Sequence, residues 1–462
     1  MAMQRTVSKV LVIGLDCVPP GILFDRWRRH LPVLDGLMQQ GVFGPLRSTD
    51  PPITVPAWMS MMTGLDPGQL GLYGFRNRLD PRFPHLTISR SDQVSAPTVW
   101  DILGARGLRS VVVGVPLTYP PRPFPGTMVT GMLTPSSAAD WTHPPGLRDE
   151  LTRAVGTYPF DVDGYRHLEP EALVAQLMED TRRRFAVASH LLEHHPWDLG
   201  ILVETGPDRL HHRFWRYMDP AHPRYEPDHP LGAAALGYYR ALDAHVGALL
   251  ERVPDDTVIL VVSDHGARPL HGGVCVNELL VRHGWLKLRH SPPEPRPLTP
   301  DDVDWTGTRA WAEGGYYARV FLNVRGREAH GIVHPRAAPL YRERLKRLVE
   351  SAGTPAGTRV LLPERLYREV QGVAPDLMIY FGDLDWRAVG TIGHGALTTP
   401  VNDTGPDDAN HDPLGVLVLH DPSGRAGRGR RLPEVSILDV APTLLRWFGI
   451  EPLERMSGHS IT

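Results

Sequence analysis

The chain reads as an α/β fold, with a mostly parallel central sheet, helices on both faces and a smaller inserted subdomain. Two observations carry this. Short apolar, β-rich runs recur at residues 10–15, 110–115, 199–203, 257–262, 320–322, 377–381 and 416–419. Their hydrophobicity is continuous rather than alternating, as in strands with both faces covered. Helical patterns lie between several of them, over 172–193, 233–252, 338–351 and 437–448. Strands that alternate with helices build a parallel sheet clothed on both sides.

Taken in order, the first run, VLVIGL, is entered almost at once from the start of the chain and closes on Asp16. A helix-like stretch, 57–63, comes after Pro56. The middle of the chain then alternates strand and helix up to VVSDHGAR. The stretch SPPEPRPLTPDD, 291–302, is proline-rich and polar and reads as a linker or exposed loop. The segment from there to about residue 375 reads as a smaller subdomain or lid. The expected organisation is a first part of the core at 1–290, the insert at 291–375, and the rest of the core at 376–462.

Bulk composition excludes several functions. With 49 basic and 52 acidic residues the net charge is −3, which offers a nucleic-acid polymer no broad electrostatic footing. Two cysteines, Cys17 and Cys275, form no Cys-x-x-Cys pair, so zinc-finger, redox and disulfide scaffolds are not indicated. No run reaches the roughly 18 apolar residues of a membrane span, and the start lacks the features of a signal peptide. The expected location is the cytoplasm. The 46 prolines and 45 glycines, well above the usual share, indicate many shaped loops. Oligomeric state is not legible.

Chemistry gathers at the strand ends. Asp16 closes the first strand; Asp208, His211 and His212 follow the run at 199–203; Asp264 and His265 follow the run at 257–262; His411 precedes the last. Ligands of parallel sheets collect beyond the carboxyl ends of the strands. Each residue alone has a commonplace reading: Asp as a helix N-cap, His211 as a neighbour, Cys17 as a small buried apolar group. Their joint occurrence is a metal-site pattern. Carboxylate and imidazole without thiolate suit zinc, and also manganese or iron. Asp208 and His212, four apart, share one face if their segment is helical. Thr54 stands just ahead of the helix-like run, where free amides and the helix dipole favour an anion. Alone, it too reads as an N-cap.

The ordered set Asp16, Thr54 in TVPAWMSMMTG, Asp208 with His212, Asp264 with His265 in SDHG, and His411 resembles the alkaline phosphatase superfamily. More narrowly it resembles the type I phosphodiesterase and nucleotide pyrophosphatase branch. The segments GPDRLHHRFWRYMDP, RAWAEGGYYARVFLNVRGRE, NDTGPDDANH and SILDVAPTLLRWFGI resemble a bacterial group of phosphohydrolases within it. The resemblance implies an alkaline-phosphatase-like three-layer sandwich and two divalent metal ions, zinc in the first place. One ion would be held by Asp16, Asp264, His265 and the Thr54 oxygen. The other would be held by Asp208, His212 and His411, with His394 as the alternative to the last. Thr54 would be the nucleophile, forming a phosphothreonine that water then hydrolyses. The Val55 amide would cradle a phosphoryl oxygen, and Asn77, displaced by about two residues from the branch's usual spacing, would assist. Sulfatase chemistry is disfavoured, because Thr54-Val55-Pro56-Ala57-Trp58 lacks the Cys/Ser-x-Pro-x-Arg pattern.

The expected activity is hydrolysis of a phosphodiester or nucleotide-type pyrophosphate, with a small phosphate ester as substrate. The alternatives are a phosphomonoesterase served by Arg76, Arg78 or Arg268, a phosphomutase or phosphotransferase, and a phosphonate hydrolase. A non-enzymatic binding protein on the same fold ranks below these, since neither the nucleophile nor a ligand is missing.

Overall fold

The computed structural model describes residues 5–82 and 84–461. Val10–Leu15, Ser110–Val113, Leu199–Glu204 and Val258–Val262 are buried at every position. A strand apolar on both faces has none to show to water, so it takes the centre of a covered sheet. Among the described residues these strands form the middle of a ten-stranded sheet. Its central order is Val42–Arg47, Leu414–His420, Val258–Val262, Val10–Leu15, Leu199–Glu204, Ser110–Val113, Gly126–Val129. The pairings from Val258–Val262 to Gly126–Val129 are parallel, and Val10 stands level with both Leu199 and Val258. Three strand ends therefore finish side by side.

Alternate residues of the first strand enter opposite cores, as the pleat requires. Leu11, Ile13 and Leu15 pack with Leu177 and Phe185 of the helix Pro170–His194 and Tyr238 and Leu242 of Pro230–Leu250. Val10 and Val12 pack with Trp58 and Met61 of Thr54–Thr63 and Leu444 and Leu445 of Val440–Trp447. The result is the expected three-layer arrangement. No helix among the described residues is long and apolar enough to cross a membrane.

The strand Leu414–His420 runs antiparallel to both neighbours. One expected core strand, at 377–381, lies elsewhere, beside the run at 320–322 that falls within the expected insert. Ala318–Leu322 and Leu377–Tyr380 belong to a separate four-stranded antiparallel sheet with Ala310–Glu313 and Arg359–Leu361. Its apolar runs are continuous because both faces are covered here too. Leu377 and Ile379 pack with Leu345 and Val349 of the helix Ala338–Ser351, while Met378 and Tyr380 pack with Ile53 and Tyr73 of the main body. The chain therefore returns to the main sheet at Leu414, not at residue 377. Val42–Arg47, interrupted by Pro45, is a strand that apolar continuity does not reveal. The stretch 291–302 is largely exposed, as its prolines suggest.

Candidate active site

The three aligned strand ends deliver the expected residues to one place. Asp16 directly follows Val10–Leu15. Asp264 and His265 follow Val258–Val262, and Ser263 shapes their turn: its hydroxyl donates to the His265 carbonyl at 2.6 Å and accepts from the Val18 amide at 2.8 Å. Asp208 and His212 lie one turn apart on the helix Gly206–Met218, which starts just past Leu199–Glu204. His411 sits in a short strand of its own, Ala409–Asp412, paired antiparallel with Gly266–Pro269. That hairpin-like pairing stacks its ring on His265, centroids 3.8 Å apart.

Thr54 opens the helix Thr54–Thr63 and is 1 % exposed. Its Oγ1 lies 3.3 Å from His265 Nε2. One turn on, Trp58 donates its indole N–H to Asp16 Oδ2 at 2.9 Å. The indole has room because residue 14 is glycine: a Cβ there would stand 2.3 Å from the Trp58 ring. Val55 is the second residue of the helix. Pro56 has no N–H, so the free amides of this first turn are those of Thr54 and Val55.

The donor atoms fall into two adjacent groups. In one, His265 Nε2 lies 3.2 Å from Asp264 Oδ2, 3.6 Å from Asp16 Oδ1 and 3.3 Å from Thr54 Oγ1. In the other, Asp208 Oδ1, His212 Nε2 and His411 Nε2 are pairwise 3.4 Å apart. Tetrahedral ligands about 2.0–2.1 Å from a zinc ion stand roughly 3.3–3.4 Å from each other. Three buried carboxylate oxygens, Asp16 Oδ1, Asp208 Oδ1 and Asp264 Oδ2, accept no hydrogen bond. Such atoms are costly unless a cation meets them.

The imidazoles are set for ligation. His411 donates Nδ1–H to the Pro52 carbonyl at 2.8 Å and His265 to the Gly266 carbonyl at 3.1 Å. His212 Nδ1 lies 2.8 Å from the Asp407 carboxylate. Each Nε2 is thereby left to face the carboxylates. Burial drives His265 well below its ordinary value and His411 down to about 4, which keeps both neutral. Burial alone would lower His212 too, but Asp407 and Asp208 raise it. Burial and Asp208 hold the Asp16 carboxyl well above its usual range, and burial and Asp16 do the same to Asp264. Asp208 goes the other way, because His212 and Arg209 outweigh its burial. Acids that repel one another, with open oxygens, beside the neutral imidazoles of His265 and His411, fit divalent cations.

Of the other residues weighed in the sequence, His394, Asn77 and His211 are engaged elsewhere, whereas Cys17 borders the groups. His394 pairs with Thr391 at 2.7 Å, so the histidine brought to Asp208 and His212 is His411. Asn77 is buried and its amide is committed: Oδ1 accepts from the Tyr73 amide at 2.8 Å, and Nδ2 donates to Ser89 Oγ at 2.7 Å and the Gly74 carbonyl at 3.3 Å. It holds a turn. His211 faces Tyr239, its Nε2 2.8 Å from the phenol, and burial lowers it to about 3. Cys17 sits at φ 68°, with its thiol near Asp208, His265 and His411. Trp58, Asp407, Arg209 and Tyr316 were not legible as site residues. Among them only Asp407, in the acidic loop just before His411, carried any signal in the sequence.

Over residues 10–407 the chain matches the family model described as type I phosphodiesterase / nucleotide pyrophosphatase. Among solved structures it is similar to human ectonucleotide pyrophosphatase / phosphodiesterase 5, with TM-score 0.57 and 14% identity, covering 96% of each chain. It is also similar to phosphonoacetate hydrolase from Sinorhizobium meliloti in complex with phosphonoformate, with TM-score 0.61 and 17% identity, covering 95% of this chain and 94% of that one. At such identities the likeness is one of fold. A search of curated proteins finds no match.

Proposed function

The chain belongs to the type I phosphodiesterase / nucleotide pyrophosphatase family, whose members hydrolyse phosphoric ester bonds, and from that premise we propose a specific chemistry. Thr54 is the nucleophile, two divalent cations, zinc in the first place, occupy the two donor groups, and the substrate is a phosphodiester or nucleotide-type pyrophosphate. The observation that carries this is the position of Thr54 Oγ1: at a helix N-terminus, and 3.3 Å from the Nε2 that faces Asp16 and Asp264.

Asp16, Asp264, His265 and Thr54 would hold one cation, and Asp208, His212 and His411 the other. Bound there, the pair supplies charge stabilisation to an ionised hydroxyl and to the attacking and departing oxygens. The protein's own groups do the positioning. Trp58 holds Asp16 in place, and the helix dipole and Val55 amide receive a phosphoryl oxygen. The Thr54 hydroxyl loses its proton to solvent, the bond from its Oγ1 to phosphorus forms as the bond to the leaving oxygen breaks, and the electron pair departs with that oxygen. Water then attacks the phosphothreonine: its oxygen bonds to phosphorus as the bond to Thr54 Oγ1 breaks, the phosphate product leaves, and a proton of that water restores the hydroxyl.

A diester is favoured over a monoester by the fate of the arginines. A monoester carries an extra anionic oxygen that calls for a cationic clamp. Arg78 is buried against Glu328 at 2.7 Å and Arg268 is paired with Asp385 at 2.8 Å. Arg76 lies on the exposed surface. We read the segment 291–375 as a cover, a reading supported by Tyr316, which extends from the smaller sheet to His212.

The test is hydrolysis of bis-p-nitrophenyl phosphate against p-nitrophenyl phosphate by zinc- or manganese-loaded protein. The diester is expected to be preferred. Thr54→Ala is expected to lose activity by about a thousandfold or more with metal content retained. Full activity in that variant would overturn the nucleophile assignment.

A further inference from the structure

One side chain at the second donor group belongs to neither the ligands nor the helix of Thr54. Tyr316 lies in the turn between the strands Ala310–Glu313 and Ala318–Leu322 of the smaller sheet. Its phenol oxygen is 3.3 Å from His212 Nε2, and its ring lies 3.8 Å, centroid to centroid, from that of His411.

Its position is fixed from several sides. Gly315 pairs through its backbone with Ala388, at 2.8 and 3.0 Å. Gly314 allows this approach, since a Cβ there would stand 2.4 Å from the Gly390 nitrogen. The neighbouring Arg387 lays its guanidinium over the Tyr316 ring at 4.2 Å. Arg387 also binds Asp407 Oδ2 at 2.9 Å, and the other oxygen of Asp407 is 2.8 Å from His212 Nδ1. Tyr316, His212, Asp407 and Arg387 thus form a closed circuit, and the phenol points at the donor group because every member of that circuit is tied to the next.

We propose that Tyr316 is a catalytic residue that donates a hydrogen bond from its phenol to the departing oxygen of the substrate. The proposal rests on Thr54 as the nucleophile. With Thr54 beside His265, in-line attack sends the departing oxygen away from Thr54, and the proposal places it at the adjacent group of Asp208, His212 and His411. That is where the phenol stands. Asn77, whose amide is spent on Tyr73, Gly74 and Ser89, has no free donor for the task. In the step, the Thr54 hydroxyl gives its proton to solvent, its oxygen–phosphorus bond forms, the phosphorus–oxygen bond to the leaving group breaks, and the electron pair stays on the departing oxygen. The phenol shares its proton in the hydrogen bond without losing it, and solvent protonates the released group. Such a donor matters most when the leaving group bears its negative charge poorly.

The experiment compares wild type with Tyr316→Phe on methyl aryl phosphates, from the p-nitrophenyl to the unsubstituted phenyl ester. Metal content is checked by elemental analysis and orthovanadate binding by calorimetry. The loss in kcat/KM is expected to grow by about tenfold across the series, and orthovanadate to bind about tenfold more weakly, with both metals retained. A loss uniform across the series, or unchanged orthovanadate binding, would overturn the proposal. The reading of Thr54 survives that result if wild type turns over the esters and Thr54→Ala does not. A wild-type protein inert on all of them would overturn both.

Discussion

A buried imidazole can ligate a cation only through a nitrogen that carries no proton, so the partner of each Nδ1 decides what each Nε2 can do. Two of the three partners here are backbone carbonyls, Pro52 and Gly266, which only accept. The third, Asp407, is a side chain, held well below the usual carboxylate range because Arg387 and His212 outweigh its burial. His212 is therefore the ligand whose orientation one substitution can release. Asp407→Asn is expected to weaken zinc affinity by about 10- to 100-fold. Zinc competition against a chromogenic chelator measures this, and unchanged affinity would mean that Asp407 does not orient His212. The same carboxylate also binds Arg166 at 3.3 Å and Arg387 at 2.9 Å, so a lower melting temperature is expected alongside.

The helix Thr54–Thr63 is buried along its whole length and ends at Gly64 in the left-handed conformation. It has no solvent face, so tight packing rather than amphipathicity sets its angle. Gly14 sits at the contact that aims it, between Trp58 and Val203. Gly14→Ala is expected to destabilise the fold by about 1–3 kcal/mol, because the strand backbone cannot retreat and the indole must. Activity is expected to fall more than stability explains, since Trp58 also holds Asp16. Thermal unfolding with kcat measured well below the transition separates the two effects. A variant with lowered stability but unchanged kcat would show that the indole does not position the carboxylate. Gly314 has the same kind of role on the smaller sheet, where the approach to Gly390 leaves no space for a side chain.

Across the whole molecule, the two donor groups join segments that are far apart in sequence. Asp16, Thr54, Asp208, Asp264 and His411 come from the end of the first strand, the helix Thr54–Thr63, the middle of the chain and its last hundred residues. Anything that binds them only in the folded state stabilises the whole. Without cations, the open oxygens of Asp16, Asp208 and Asp264 stay buried and unpartnered, and only Asp208 has an arginine, Arg209, beside it to offset its charge. Chelation is therefore expected to lower the melting temperature by several degrees or more and to silence hydrolysis, with zinc restoring both. Equal melting curves with and without chelator, at verified metal removal, would overturn the reading of these groups as cation sites.

The fold class and most of the central strands were legible because burial on both faces writes a continuous apolar run into the sequence. The ambiguity of that signal is equally physical. Leu377–Tyr380 carries the same run while lying in an antiparallel sheet pressed between a helix and the main body. Sequence also singled out the acids and histidines that the fold brings together, since strand-end position and residue type are local properties. Tertiary structure alone decided that His411 rather than His394 meets Asp208, that Asn77 is spent on its own turn, and that Asp407, Trp58 and Tyr316 surround the ligands. Those relations link residues dozens to hundreds of positions apart, or turn on which way one amide faces. No periodicity or spacing records them, because they come into being only when the sheets are packed.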